Sequence, residues 1–353
     1  MIAQNKNSEL TKACNTTQPF NQTSESQIIM SAHQHIINIL ISLQIFSKKM
    51  QKEGKPALVD WLVLVALMIV WGSSFILIKR GLVSFDPMQL GALRISISFG
   101  FLLPLAISKI RRVPLNQLKY FAISAIIGSG LPPFLFAIAQ SQIDSYLAGV
   151  LNSPTPLFTL VIGVLFFSVR VRVVNVIGVI VGLIGAIGLL TAVNHANGGG
   201  NAIFGLLVVL ATIFYATNIN FIKKFLARFD SVTITSVSFA IIGVPATIYL
   251  FLGTEFASTL QSHPESYKSL FYVALLSIFG TAISMIAFNW LIKRVSALFA
   301  STVTYMMPIV SIAWGFVDGE SFLLVYVLWI LLILAGVFLS NTPSGSAKKG
   351  AKS

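Results

Sequence analysis

One stretch of this chain is written twice. The segment from Gly128 to Gly163 returns 152 positions later, from Gly280 to Gly315, and the two align without a gap. Ile126, Gly128, Phe136, Ala148, Pro156 and Gly163 fall on Ile278, Gly280, Phe288, Ala300, Pro308 and Gly315. Each copy holds two long apolar runs, with a proline in the middle of the second. A fainter echo, 144 positions apart, places Trp71-Gly-Ser-Ser-Phe-Ile-Leu-Ile-Lys-Arg80 over Tyr215-Ala-Thr-Asn-Ile-Asn-Phe-Ile-Lys-Lys224. Aromatic meets aromatic, small polar meets small polar, and both end in a basic pair. A chain duplicated in this way is constrained to build one unit twice.

Composition names the solvent for that unit. Of 353 residues, 56% are hydrophobic and 10% charged, with a mean hydropathy of +0.85; soluble domains carry roughly 25% charged residues. A spanning helix needs about 20 mostly apolar residues. Ten such runs occur, near 59–78, 88–108, 117–138, 145–167, 174–193, 202–222, 232–252, 269–291, 296–316 and 323–340. The expected organisation is a polar leader (1–57), a first five-helix repeat (58–193), a second (202–340) and a basic tail (341–353). Within the leader, Ile36–Phe46 is too short to span and suits an interfacial helix. Met50 is the expected natural start, with residues 1–49 an upstream extension.

The lysines and arginines in the connections set the orientation. With the N-terminus in the cytoplasm, that side receives Lys48, Lys49, Lys52, Lys55, Lys109, Arg111, Arg112, Lys119, Arg170, Arg172, Lys223, Lys224, Arg228, Lys293, Arg294 and the tail lysines. The outer side receives only Lys79, Arg80 and Lys268, together with Asp86, Asp144, Glu255, Glu265, Asp318 and Glu320. Five spans per repeat is an odd number, so the second copy enters the membrane upside down. The expected fold class is an all-α membrane protein: ten transmembrane helices as two inverted five-helix repeats, both termini cytoplasmic, in the inner or plasma membrane. Inverted repeats of membrane helices are a transporter plan, with the substrate site between the copies.

Several classes are disfavoured. The net charge of +13 sits in short connections rather than on one basic face, which argues against a nucleic-acid partner. Cys14 is the only cysteine, so no intrachain disulfide forms. Gly128-Ser129-Gly130 looks like a membrane serine nucleophile, but no span supplies a histidine base. His33-Gln-His35 offers two metal ligands without a third. No enzyme activity, metal or cofactor is expected. The expected partners are the lipid bilayer and a small-molecule substrate, with the chain a monomer or homodimer.

The ordered set of motifs resembles the EamA-type branch of the drug/metabolite transporter superfamily over roughly residues 58–340. The set comprises Trp71-Gly72-Ser73-Ser74-Phe75 in the first span, Arg94 early in the second, small-residue fourth and ninth spans with Pro156 and Pro308, and Gly319-Glu320 closing the ninth. Two positions depart from the pattern: Ser168-Val169-Arg170 replaces the Gly-Glu expected after the fourth span, and Met307 stands where many relatives carry glutamate. The resemblance implies a carrier that exports or exchanges small polar metabolites, amino acids or related compounds, by alternating access. It also implies a central cavity built from the first, third, fourth, sixth, eighth and ninth spans. Drug or toxic-compound efflux, or a channel-like facilitator, is the alternative.

Candidate cavity residues follow from the cost of polar groups in lipid. Trp71 and Ser74 share a helix face, as do Tyr215 and Asn218; Asn220 lies nearby. Asn152 and Ser153 accompany two prolines that free backbone carbonyls one turn earlier, and Tyr305 occupies the matching place before Pro308. Asn289 lies late in the eighth span. Interhelical hydrogen bonding is the competing use for all of these. Pro156 and Pro308 are the candidate hinges or kinks. Arg94 is the one ionised group well inside a span, at a cost of roughly 2.5–3.5 kcal/mol on insertion scales. It would either snorkel outward or hold a substrate carboxylate. No Asp, Glu or His lies deep in a span, which leaves Asp144, at the outer end of the fourth, as the candidate for proton coupling. The glycines of the fifth span (Gly178, Gly182, Gly185, Gly188) form a small-residue face for packing inside the bundle or for a dimer contact. The orientation is checked by labelling intact cells: the tail lysines are expected to be protected from membrane-impermeant reagents, and tags to count an even number of crossings after Met50.

Overall fold

The computed structural model describes residues 56–169, 171–196, 202–295, 297–320 and 323–340, all within the unit Lys55–Ser353. The leader with Cys14, His33 and His35, Arg170 and the tail lysines lie outside the described residues. The chain is helical throughout this range: α1 Leu58–Gly81, α2 Pro87–Ile110, α3 Leu115–Gln140, α4 Ser145–Phe167, α5 Val173–Ala196, α6 Ile203–Leu226, α7 Ser231–Leu252, α8 Ser266–Arg294, α9 Phe299–Val317 and α10 Val325–Ser340. Among the described residues, nine of these are long and apolar enough to cross a membrane, and α10 is a shorter apolar helix. A further short helix, Phe256–Ser262, fills the connection between α7 and α8.

Local chemistry punctuates the runs where polarity returns. Asp86 and Asp230, 144 positions apart, cap α2 and α7; the Asp86 carboxylate accepts from the amides of Met88 and Gln89, and that of Asp230 from Thr233. Each cap satisfies amides that the first turn would otherwise leave unpaired. Large apolar side chains such as Leu62, Ile107, Phe166, Ile187, Leu252 and Phe338 are exposed on the outside of the bundle. The exposed apolar surface suits lipid and marks this as a multi-pass membrane protein.

The packing follows the duplication. α5 packs along α10 and α2 along α7, each helix against its own counterpart. α1 lies against α8 and α9 of the second repeat, while α6 lies against α3 and α4 of the first. A two-fold relation between the repeats requires both patterns. The repeats therefore interlock rather than stand side by side, with core residues such as Leu90, Phe121, Leu157, Val237, Val273 and Ile333 sealed from the surface.

The glycine face of α5 is occupied within the chain. A Cβ on Gly178 would meet the Gly336 carbonyl at 2.6 Å, one on Gly185 would meet the Ile333 amide nitrogen at 2.7 Å, and one on Gly336 would collide with the Gly182 backbone. Gly188 lies under the Trp329 ring. Here the missing side chain is the requirement, because backbone meets backbone. Asn175 closes one end of the seam, donating to the Ser340 carbonyl at 2.7 Å. Gly336→Val is expected to cost at least the 1–3 kcal/mol typical of overpacking, read as a lower unfolding temperature in detergent. Gly100→Ala, with open space around it, is the control that leaves it unchanged.

Candidate functional site

Polar groups buried in a helical bundle need a partner or a cavity, and both repeats concentrate theirs at one place. α3 and α8 each carry a π-helical turn at equivalent positions, Ile126–Gly130 and Ile278–Ile283. The same irregularity rests on different chemistry. In α3, Pro132 and Pro133 withdraw two amide donors just past the turn. In α8 there is no proline, and hydroxyls take up freed carbonyls: Thr281 donates to Leu276 O and Ser284 to Phe279 O. The Trp71 indole donates to the Gly280 carbonyl at 2.8 Å. The glycine inside each turn lets the opposing helix approach. Gly128 faces the Asn218 amide, and a Cβ on Gly280 would lie 2.7 Å from the Ser74 hydroxyl.

Between these turns lies a cavity whose lining is built in pairs. At the 144 interval the pairs are Trp71 and Tyr215, Ser74 and Asn218, and Phe75 and Ile219. At the 152 interval they are Gly128 and Gly280, Ser129 and Thr281, Pro133 and Met285, Phe136 and Phe288, Asn152 and Thr304, and Thr155 and Met307. Only Ile78 and Arg94 line it without a counterpart. The ring contacts repeat as well: Trp71 meets Phe288 edge-on at 4.9 Å, and Tyr215 stacks on Phe136 at 6.0 Å. α1, α2, α3, α4, α6, α8 and α9 contribute to the wall.

Arg94 does not snorkel outward. It is 8% exposed, and its Nε donates to the Thr281 hydroxyl at 2.8 Å. The Asn152 amide donates to the Met307 sulfur at 3.3 Å, while its carbonyl oxygen has no partner. Trp71, Ser74, Tyr215 and Asn218 join them in the lining. The remaining sequence candidates lie elsewhere. Ser153 is spent on the Val150 carbonyl. Asn220 donates to the carbonyls of Thr159 and Ala216 and so ties α6 to α4. The Tyr305 hydroxyl donates to Val337 O on α10 at 2.9 Å. Asn289 donates to Thr235 at 2.9 Å and lines a smaller polar pocket with Ser124, Ser129 and Asn218. Sequence reasoning missed Ser129, Thr155, Thr281 and Met285. The repeat register alone does not find them, because their equivalents (Ser129 and Thr281 for each other, Met307 for Thr155, Pro133 for Met285) carry no cavity signal in the sequence either.

The two prolines behave differently. α4 breaks at Ser153–Pro154, just ahead of Pro156, and the Thr155 hydroxyl takes the Asn152 carbonyl at 2.6 Å. In α9 the interruption falls at Thr302, and Pro308 stays inside the helix Val303–Val317.

One end of the bundle is fastened ionically. Lys79 Nζ lies 2.6 Å from Asp318 and 2.7 Å from Glu320, and Arg80 pairs with Asp318. Lys79 and Arg80, the two cations that oppose the charge pattern, are thus matched by carboxylates. The Glu320 side chain is 1% exposed and accepts the amides of Ser145 and Tyr146 at the start of α4. It therefore joins the end of α1 to the start of α4 and the end of α9. At the opposite end, the turn after α4 is also left-handed, at Ser168, but one residue longer: Val169 N bonds Gly163 O across six positions, where Glu320 N bonds Gly315 O across five. Ser168 and Val169 bring no carboxylate there. That end is held instead by Arg294 on Asp60 at 2.7 Å and by Lys223 on the Val295 carbonyl.

Asp144 stands beside the ionic cluster, outside the cavity lining. Burial raises its pKa above the usual aspartate range and the Glu320 charge adds to this, against the opposing pull of Lys79. The folded state thus holds a proton that the unfolded chain releases. Its contribution to stability is present below the ordinary aspartate pKa and is lost as pH rises through the raised value. Asp144→Asn is expected to flatten that part of the stability–pH curve. Glu320→Ala is expected to cost about 2 kcal/mol, the scale of hydrogen bonds to a charged group. Thermal unfolding in detergent across pH reads both.

Similarity to known proteins follows the same architecture. The EamA-like transporter family matches residues 59–191 and again 203–342. An uncharacterized transporter of Archaeoglobus fulgidus is 25% identical over 282 residues, covering 79% of this chain and 97% of that protein. The uncharacterized inner membrane transporter YedA of Escherichia coli K12 is 28% identical over 256 residues, covering 71% and 80%. A protein of Salmonella typhimurium named as a probable amino-acid metabolite efflux pump is 25% identical over 292 residues, covering 80% and 94%. A solved crystal structure superposes with a TM-score of 0.57 at 16% identity, covering 80% of this chain and 96% of the other, and so shares the fold. Matched once in each half, and built as ten apolar helices around a doubly lined cavity, the chain belongs to the EamA-like transporter family.

Proposed function

We propose that this transporter exports or exchanges small polar metabolites, amino acids or related compounds, by alternating access around the paired cavity. The observation that carries the reading is that equivalent positions of the two repeats line the same space. If the repeats exchange conformations, the cavity swaps the end to which it opens while its lining stays chemically matched. The interruptions in α4 and α9 and the two π turns supply the loosened backbone. The relative named as a probable amino-acid metabolite efflux pump supports this substrate range. The lysine-rich connections support cytoplasmic termini in the inner or plasma membrane. The relatives named as transporters support a non-enzyme role.

Downhill exchange is the primary mode in this reading. Proton coupling through Asp144 is the second, favoured by the raised proton affinity of its carboxyl beside the ionic cluster. Liposomes holding the purified protein, offered a panel of amino acids and related acids with and without a pH gradient, test both. Flux is expected to saturate with substrate concentration; a linear rise would mean a channel. A pH gradient that drives uphill accumulation in the native protein but not in Asp144→Asn would assign the coupling to that residue. If no member of the panel moves, the metabolite-carrier reading loses its support.

A further inference from the structure

The cavity is almost two-fold symmetric in its lining and wholly asymmetric in its charge. Asp86 and Asp230 set the register of α2 against α7 at 144 positions, so Arg94 corresponds to Ser238. One repeat thus places a permanent cation in this wall, while the equivalent Ser238 of the other lines the smaller neighbouring pocket. Among the described residues no carboxylate lines the cavity to answer it. The Nε of Arg94 is engaged by Thr281, and among the described residues its two terminal nitrogens make no hydrogen bond or ion pair. Thr281 is itself held by the Leu276 carbonyl at 3.1 Å, so the guanidinium is fixed on one edge and open on the other. A guanidinium cannot shed its proton to escape burial. A fork of unpaired donors in a low-dielectric site is matched by a carboxylate, which accepts two parallel hydrogen bonds.

A second group in the same wall narrows the class. The Asn152 side chain is 4% exposed, and its carbonyl oxygen is buried without a partner. Because Asn152 lines the cavity, a neutral N–H or O–H of a ligand, met by a turn of the amide, would satisfy it. An ammonium placed there would bring a full charge with no carboxylate to pair it, which is costly in a desolvated site. The rest of the wall is largely aromatic and apolar, with Trp71, Phe75, Phe136 and Phe288 prominent.

We propose that the cavity is a site for small monocarboxylates that carry an apolar body and a neutral donor, such as aromatic hydroxy acids or N-acylated amino acids, and that it prefers these net anions to zwitterions and cations. The carboxylate sits on the Arg94 fork and the donor on the Asn152 oxygen. The proposal rests on the carrier reading above and deepens it by fixing the charge of the cargo.

Four probes on one skeleton test it in the full-length protein in detergent, by tryptophan fluorescence titration and ligand-induced thermal shift: 3-phenyllactate, 3-phenylpropionate, phenylalanine and 2-phenylethylamine. The expected order of affinity is the order written. The anion-to-amine gap is expected to be at least 10-fold, the scale of charge-assisted hydrogen bonds. Arg94→Gln is expected to erase the preference for the carboxylate, and Asn152→Leu only the advantage of phenyllactate over phenylpropionate. Because the ranking is read on the unaltered protein, it stands even if a variant fails to fold. Equal or tighter binding of the amine or the zwitterion, or no binding of either carboxylate, overturns the proposal. Flux in liposomes separates this from the carrier reading. Carboxylate binding without flux sinks the carrier and spares the anion site; saturable flux of zwitterions without carboxylate binding does the reverse.

Discussion

A bilayer offers no hydrogen-bond partners, so every polar group carried into it must be answered from within the protein. That constraint organises the whole molecule. Its outer surface is apolar. Its asparagines, hydroxyls and lone arginine are gathered between the two repeats, where they bond across helices or line the cavity. The helices that seal this region are those that meet their own counterparts, α5 on α10 and α2 on α7. Glycine makes the first of these contacts close enough for backbone to lie on backbone.

The duplication sets the cavity's symmetry, and substitutions within the duplicate set its departures from symmetry. Glu320, with no carboxylate in the turn after α4 to match it, makes one end ionic and leaves the other to Asp60–Arg294 and a lysine on a carbonyl. Arg94 against Ser238 puts the charge of the cavity in one repeat. These are two positions where the repeats differ in charge, one at an end of the bundle and one in the cavity wall.

Much of the candidate site was legible because the same position appears twice. Trp71, Ser74, Tyr215 and Asn218 came from aligning α1 with α6, and Asn152 from the prolines beside it. Asn220, Asn289 and Tyr305 meet the same criterion, polarity inside an apolar run, yet bond to neighbouring helices, and Ser153 meets it yet bonds within α4. Polarity says that a group must be satisfied; it does not say by what. A helix rotation of 100° per residue separates Asn218, in the lining, from Asn220, which faces α4. Glu320 shows the converse: the sequence places it in a connection, and only the packing shows that its carboxylate is buried at the start of α4.

The sequence by itself determined the ten apolar helices, their pairing into two repeats and the opposite sense in which the copies thread, because spanning length, hydropathy and an odd helix count are properties of the chain alone. Tertiary structure decided which polar groups share a cavity and that the guanidinium of Arg94 turns inward with its two terminal nitrogens unanswered among the described residues. It also decided that the glycine face of α5 is used within the chain. Those outcomes depend on how helices far apart in sequence are rotated and packed against one another, and no local pattern of residues encodes that angle.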